Sequence, residues 1–435
     1  MVDFGRSNDP RVQAQLDRLA LLSVPQGRFG LGTITALMER LGNPHRKLPP
    51  VFHVAGTNGK GSVCAFLRAM LEADGKRVHV TTSPHLVRYN ERIRIAGELI
   101  SDTALAGVLE EVLNVSEDLG PSFFEVTIAA AFLAFSREPA EACVVEVGLG
   151  GRFDATNVLE PSAVAVSGIA ALGLDHERFL LAPEEGTPQN PMARIAFEKA
   201  GIAKKNTPLV ALDQVPEATS QIIIRAESVG APLALKGDKW SNKFELAEPE
   251  NRHIYRDEFG ELSLPLPTLH GPHQIRNAGL ALAMLRHQEE IEVSEKAMAQ
   301  GLTYVDWPGR FQQLKEGPLT QGREVWVDGG HNPSAGKAMA DFWADDSVHL
   351  IIGMLANKNP EAIIEPMRPW CKTVTAVPVP DHEWHPPAAF GKGAKSALDL
   401  ASAIAQLPED TLPIFITGSL YLVGDALRLN GQMPE

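Results

Sequence analysis

Residues 51–62, reading Val51-Phe52-His53-Val54-Ala55-Gly56-Thr57-Asn58-Gly59-Lys60-Gly61-Ser62, restrict the fold more than any other stretch. The apolar run 51–55 has the length and composition of a short buried strand. Gly56, Gly59 and Gly61 then allow a turn that few other residue types could follow. From Ser62 the pattern becomes helical, with Val63, Phe66, Leu67, Met70 and Leu71 on one face. Strand, glycine loop and helix start, in that order, form a phosphate cradle. Backbone N–H groups and the positive end of a helix converge on one place. Lys60 adds a mobile cation, and the Ser62 hydroxyl can ligate the magnesium that accompanies a nucleotide. The common motif G-x-x-x-x-G-K-[ST] is not met. Only Thr57 and Asn58 separate Gly56 from Gly59, and Gly61 separates Lys60 from Ser62. The plainer alternative is a glycine-rich turn with an incidental lysine.

A chain of 435 residues exceeds one ordinary core, so two domains are expected. Apolar content of 44% and charged content of 22% are those of a soluble globular protein. The longest apolar candidate, residues 126–135, is well short of a membrane span, and residues 1–10 carry no signal-peptide core. No membrane association is expected. Cys64, Cys143 and Cys371 are scattered without metal spacing and read as buried thiols in a reducing cytoplasm. A net charge of −14 argues against a nucleic-acid surface, and it requires a local basic site for any anionic substrate.

Taken in order, residues 11–23 and 33–42 predict two helices joined by a Pro-Gly stretch at 25–32. After the cradle, 78–82 predicts a strand that enters the polar loop 83–94, too rich in special residues to be a plain connector. Ser101-Asp102 caps a helix to about 119, and 123–136 is a helix apolar on most sides. Residues 143–147 and 163–169 read as strands, so the alternation implies a mostly parallel α/β sheet. Gly148-Leu149-Gly150-Gly151 invites a dinucleotide reading, which fails because the third fingerprint glycine would fall on Phe153. Residues 178–193 read as an exposed loop, 230–270 as small strands or hairpins, and 272–288 as a helix. A second unit is expected from about 292, opening with a helix capped by Ser294. Strands at 323–327, 348–352, 373–377 and 414–417 follow, with helices between them. The fold class is therefore α/β, with a P-loop-containing, mostly parallel sheet in an N-terminal ATPase domain, 1–292. A smaller Rossmann-like α/β domain, 293–435, follows it.

Several polar residues lie in or just after the apolar strands. Glu146 sits in an apolar run, where a carboxylate is costly unless it is paired or on a metal. A structural salt bridge is its plainer reading, as a capped turn is for Asp175-His176 and for Asp328-Gly329-Gly330-His331-Asn332-Pro333. Arg310 could be a surface charge. Together, carboxylate, imidazole and serine hydroxyl at strand ends can form a magnesium site, in which His176 is the weaker member because magnesium prefers oxygen.

The motifs together resemble the folylpolyglutamate synthase and dihydrofolate synthase family of Mur-type ligases. The resemblance is carried by the cradle, by Ser83-Pro84-His85-Leu86 with Glu91-Arg92-Ile93, and by Glu146-Val147-Gly148-Leu149-Gly150-Gly151-Arg152. It continues through Asp154-Ala155-Thr156-Asn157, Glu198-Lys199-Ala200-Gly201-Ile202, His273-Gln274, Gly309-Arg310, Asp328–Pro333 and Gly418-Ser419-Leu420-Tyr421-Leu422, in family order. It implies that Gly56, Thr57, Asn58, Gly59, Lys60, Gly61 and Ser62 hold ATP phosphates, and that Ser62, Glu146 and His176 ligate one magnesium ion or two. Asn277 would contact the base, Asp328 and His331 nucleoside groups, and Arg310 the transferring phosphate. Lys199 matches a lysine that the family carries as a carbamate. Ser83, Pro84, His85, Arg88, Phe124 and Asp154 resemble the pterin side, where Arg88, Arg92 and Arg94 could meet an anionic substrate.

Lys60, Lys199, His176 and Arg310 are the implied catalytic residues. The implied reaction joins L-glutamate to dihydropteroate, to reduced folates or to both, in a cytoplasmic and monomeric enzyme. A folylpolyglutamate synthase alone, a muramoyl-peptide ligase and a P-loop kinase remain as alternatives. Three departures from the family pattern are Glu177, where Thr is usual, a longer segment between His176 and Lys199, and Gly where Ala is common in Asp328-Gly329-Gly330-His331.

Overall fold

The computed structural model describes residues 5–22, 30–246, 250–344 and 346–434. Most of the Pro-Gly stretch at 25–32 lies outside them. The chain divides into two compact units, residues 1–268 with 274–305 and residues 269–273 with 306–435.

The first unit is built on a sheet of eight strands: β1 (Val51–Ala55), β2 (Val78–Thr81), β3 (Ile93–Ile95), β4 (Glu98–Leu99), β5 (Ala142–Glu146), β6 (Val164–Ile169), β7 (Leu209–Ala211) and β8 (Leu233–Leu235). Their order is β4-β3-β2-β5-β1-β6-β7-β8. From β2 to β8 every pairing is parallel, and β3 and β4 add an antiparallel edge. β1 lies in the middle and is buried throughout, as a strand apolar except for His53 and covered on both faces must be. The chain leaves β1 toward β2 on one side and later crosses from β5 to β6 on the other. The strand order thus reverses at β1, so the loops after β1, β5 and β6 open from one crevice, where open α/β sheets bind ligands.

Helix Phe123–Phe135 is nearly all buried from Val126 onward, as its all-round apolar pattern requires. The helix after Ser101 ends at Val115, short of 119. The expected hairpins form from β9 (Trp240–Glu245), β10 (Arg252–Asp257) and β11 (Gly260–Pro265).

The helix capped by Ser294, Glu295–Tyr304, belongs to the first unit and not to the second. Ser294 donates its hydroxyl to Asp74 at 2.7 Å, and Gly301 lies so close to Met70 that an added Cβ would stand 2.6 Å from its Cα. Helix Glu295–Tyr304 therefore packs on helix Lys60–Ala73.

The second unit has six strands: β12 (Gln312–Gln313), β13 (Val325–Asp328), β14 (Val348–Ile352), β15 (Cys371–Ala376), β16 (Lys395–Ser396) and β17 (Ile414–Thr417). Their order is β12-β13-β17-β14-β15-β16, parallel except for β12. Among the described residues, no helix is long and apolar enough to cross a membrane. Cys64 and Cys143 are buried as expected, whereas Cys371 is only partly so.

Candidate active site

The cradle forms as its spacing requires. β1 ends at Ala55, and helix Lys60–Ala73 begins at Lys60 behind an N-cap at Gly59. Gly59 has φ +85°, and a Cβ there would stand 2.4 Å from Asn277 Oδ1, so conformation and space both require glycine. Asn277 is thereby placed against the loop, with its amide donated to Gln274 Oε1 at 3.0 Å. At Gly56 a Cβ would meet the Ala170 side chain at 2.8 Å. The N–H groups of Thr57 and Asn58 do not face outward: both donate to the Ala171 carbonyl, at 2.9 and 3.1 Å. The Thr57 hydroxyl donates to Gly173 O at 3.0 Å. The loop is thus tied to the segment after β6, which runs on to Asp175 and His176. The N–H groups at the helix start, Lys60 to Ser62, keep the position that suits an anion.

Glu146 ends β5 beside Val54 of β1 and is almost fully buried. Its Oε1 lies 3.8 Å from Lys60 Nζ, and its Oε2 accepts the Ser83 N–H at 3.0 Å. The ion pair foreseen as the plainer reading therefore exists, and it stands at the mouth of the cradle. His176 adopts φ +52° and takes a backbone bond from its N–H to Asp175 Oδ1 at 2.8 Å. Among the described residues, no three His, Cys, Asp or Glu side chains form a metal cage by themselves. The buried Glu146 carboxylate beside Lys60 still suits magnesium, which keeps several waters and takes one or two carboxylates.

Lys199 lies near the end of helix Pro191–Ala200 and is buried. Burial, reinforced by the charge of Lys60, brings its pKa down to about 7, while Asp175, Asp154 and Glu198 oppose the shift. Those influences put Lys199 in the same neighbourhood as Lys60 and Asp154.

Asp154 is buried, and burial pushes its pKa up. It caps the turn Ala155–Val158 through Thr156, and its Oδ2 accepts the Leu149 N–H at 2.8 Å. The Thr156 hydroxyl donates to Asp154 Oδ1 at 2.5 Å, so toward His53 Nε2, 2.8 Å away, it can only accept. His53 is therefore protonated on Nε2 and neutral, its pKa held down to about 3 by burial. The sequence motif contained His53 without a role for it; the signal was an imidazole in the middle of an otherwise apolar strand. Phe124 closes the other side of this loop. A Cβ on Gly148 would overlap its ring at 2.3 Å.

Loop 83–94 differs from expectation in its charges. Arg92 is among the most deeply buried side chains, donating to His85 Nδ1 at 2.9 Å and lying over the rings of Tyr89 and Phe123. Arg94 donates to Gly97 O at 2.7 Å. Both arginines build the loop, and Arg88 is the exposed one. Glu91 accepts the N–H groups of Leu86, Val87 and Arg88 and so shapes the turn that carries Ser83, Pro84 and His85.

In the second unit, Asp328 ends β13 and is buried, its pKa raised by burial and opposed by Arg310. It accepts N–H groups from Gly330 at 2.8 Å and Phe311 at 3.1 Å. His331 Nδ1 lies 3.1 Å from Gly329 O, and Asn332 caps helix Pro333–Phe342. Arg310 Nη1 is 3.2 Å from where a Gly329 Cβ would be, which gathers Arg310, Asp328 and His331 at one strand end.

No family model matches the chain. It is 32% identical over 424 residues to the dihydrofolate synthase/folylpolyglutamate synthase of Bacillus subtilis (strain 168), covering 91% of this chain and 94% of that protein. The chain belongs to the folylpolyglutamate synthase/dihydrofolate synthase family. Its fold agrees with that family's solved structures. Mycobacterium tuberculosis folylpolyglutamate synthase complexed with ADP and AMPPCP superposes with a TM-score of 0.83 at 30% identity, covering 98% of this chain and 100% of the other. A bifunctional folylpolyglutamate synthase/dihydrofolate synthase with Mn, AMPPNP and L-glutamate bound gives 0.82 at 28%, covering 98% and 99%. Membership places the chain among the ATP-dependent amide-forming ligases.

Proposed function

We propose that this chain joins L-glutamate to dihydropteroate and to reduced folates, using ATP. The observation that carries the proposal is the cradle with the partly exposed Lys60 paired to the buried Glu146 at the strand-order reversal, an arrangement that suits a phosphate chain and a divalent ion. The acceptor's carboxylate oxygen attacks the terminal phosphorus, and ADP leaves. The glutamate amine then attacks the acyl carbon, phosphate leaves with the bond's electron pair, and the amine proton is lost. No enzyme nucleophile is required, so catalysis consists of positioning and charge neutralisation.

Gly59 to Ser62 bind the phosphates through backbone N–H groups, and Lys60 offsets charge on the transferring group. Ser62, Glu146 and His176 are the residues that would hold magnesium, which when bound neutralises phosphate charge. Arg310, Asp328 and His331 are the second unit's candidates for nucleotide groups, and Asn277 is the first unit's candidate for the base. Lys199, about half neutral near pH 7, is suited to add carbon dioxide through its amine nitrogen and lose a proton, giving a carbamate. Phe124 and Asp154, with Ser83, Pro84, His85 and Arg88, serve the pterin-bearing acceptor. A monomer in the cytoplasm is part of the same proposal.

Purified protein given ATP, magnesium and glutamate, with either dihydropteroate or tetrahydrofolate, tests it. ADP release that requires both glutamate and an acceptor, with one glutamyl mass added to each, is the expected result. Activity with tetrahydrofolate alone reduces the proposal to its folylpolyglutamate half. ADP release independent of glutamate favours the kinase reading.

A further inference from the structure

The segment between His176 and Lys199 is not the wholly exposed loop that its composition suggests. It opens with the short helix Glu177–Leu180 and then sends Glu184 inward, its side chain 16% exposed. Both of its carboxylate oxygens are engaged. Arg152 grips them as a fork, Nη1 to Oε1 at 3.2 Å and Nη2 to Oε2 at 2.5 Å, and Arg194 Nη2 donates to Oε2 at 2.9 Å. Glu198 completes the square, accepting Arg152 Nε and Nη2 at 3.1 and 2.8 Å and pairing with Arg194 Nη2 at 3.1 Å. Two guanidinium groups thus face two carboxylates, with no net charge, while Phe153 and Phe197 lie against the guanidiniums. Arg194 Nε also donates to Leu180 O at 3.0 Å, and Leu180 lies 3.1 Å from where a Gly150 Cβ would stand.

Arg152 is the bolt of this assembly. Its N–H donates to Glu198 O at 2.7 Å, and its own carbonyl accepts Asn157 Nδ2 at 3.0 Å. Gly151 has no room for a side chain against the backbone of Glu198 and Lys199. The loop fixed in this way, 148–154, is the one that meets the Phe124 ring at Gly148 and carries Asp154. We propose that Glu184 is a positioning residue, and that the segment 181–190 is a strap holding loop 148–154 in the shape that receives the flat, pterin-bearing acceptor. This rests on the ligase reading above. Without the Glu184 charge, two arginines share one carboxylate, and their repulsion loosens the bolt on the acceptor side of the loop. The nucleotide cradle is held by bonds to Ala171 and Gly173 that do not involve Glu184, and it stays in place.

Steady-state kinetics of the full chain, with ATP and acceptor varied separately, test the assignment. Glu184→Gln should raise KM for dihydropteroate or tetrahydrofolate about tenfold while KM for ATP stays within about twofold, since small misplacements of supporting groups cost rates of this order. Glu184→Asp should recover part of the loss, and Arg194→Gln should reproduce it. Thermal melting of each variant in the presence of ATP and magnesium establishes that the fold persists. Equal shifts in KM for ATP and acceptor, or no shift in either with a merely lowered melting temperature, overturn the inference and leave Glu184 a structural ion pair. A parent protein that releases no ADP with either acceptor overturns the ligase reading and this inference together. An active parent with an indifferent Glu184→Gln overturns this inference alone.

Discussion

Lys60 and Glu146 face each other across 3.8 Å, and the roles proposed for them predict different outcomes when each is replaced. Lys60→Ala should lower kcat by at least ~10²-fold with circular dichroism unchanged, the loss typical of removing one preorganised charge-stabilising donor. Near-normal turnover in a folded variant would remove Lys60 from the chemistry. Glu146→Gln keeps the shape and the bond from Ser83, but a neutral oxygen is a weaker magnesium ligand, so the magnesium concentration for half-maximal rate should rise by roughly tenfold or more. A titration that does not move would make Glu146 a salt-bridge partner only.

Lys199 carries a pH signature. Its folded pKa of about 7 lies below its usual value of 10.5, so between those values the unfolded chain holds more protons and stability rises with pH. Below about pH 7 the penalty of burying the charge is fully present. Urea unfolding of the parent should show this upward slope between pH 7 and 9, and Lys199→Met should flatten it. No change in slope would mean that the buried amine is not the titrating group. Only the family resemblance marked Lys199 beforehand: by its own residues it stands in a helix as an ordinary lysine, and burial by residues remote in sequence gives it its chemistry. Arg92 shows the converse error, because three arginines in one polar loop look alike until packing hides one and ties another to a carbonyl.

At the scale of elements, the strand–loop–helix order of residues 51–73 was legible because apolar run, glycines and helical period are all local signals. The tie from Thr57 and Asn58 to Ala171 was not, since a backbone carbonyl more than a hundred residues away leaves no mark in composition. Gly59→Ala puts a side chain at φ +85° and drives a carbon into Asn277, so it should raise KM for ATP by at least about tenfold. An unchanged KM would show that the loop relaxes without harm. Helix Glu295–Tyr304 teaches a related lesson. Its period gives its buried face, but not which core that face meets. Gly301→Val, pressing on the Met70 backbone, should lower the melting temperature by several degrees, as overpacking of about 1–3 kcal/mol does. A melting curve unchanged from the parent's would contradict the close approach.

For the molecule as a whole, the two-unit division was legible from length and from the second run of alternating strands, though the border moved past the helix that Ser294 caps. A chain that binds magnesium nucleotide only when folded should melt later in its presence, by an amount equivalent to about 2.7 kcal/mol at a hundred times Kd, and EDTA should cancel the gain. A shift that survives EDTA would separate nucleotide binding from the metal. The paired Lys60 and Glu146 also bear on how ligand arrives. The cradle's cation already has an anion beside it, inside a chain of net charge −14. From a distance, such a surface repels a free nucleotide, and repels its metal-neutralised form less. Added salt shortens the reach of that field to about 8 Å near physiological strength. Association should therefore quicken as ionic strength rises, the reverse of electrostatic attraction, and the metal-loaded nucleotide should outrun the bare one by the widest margin in dilute buffer.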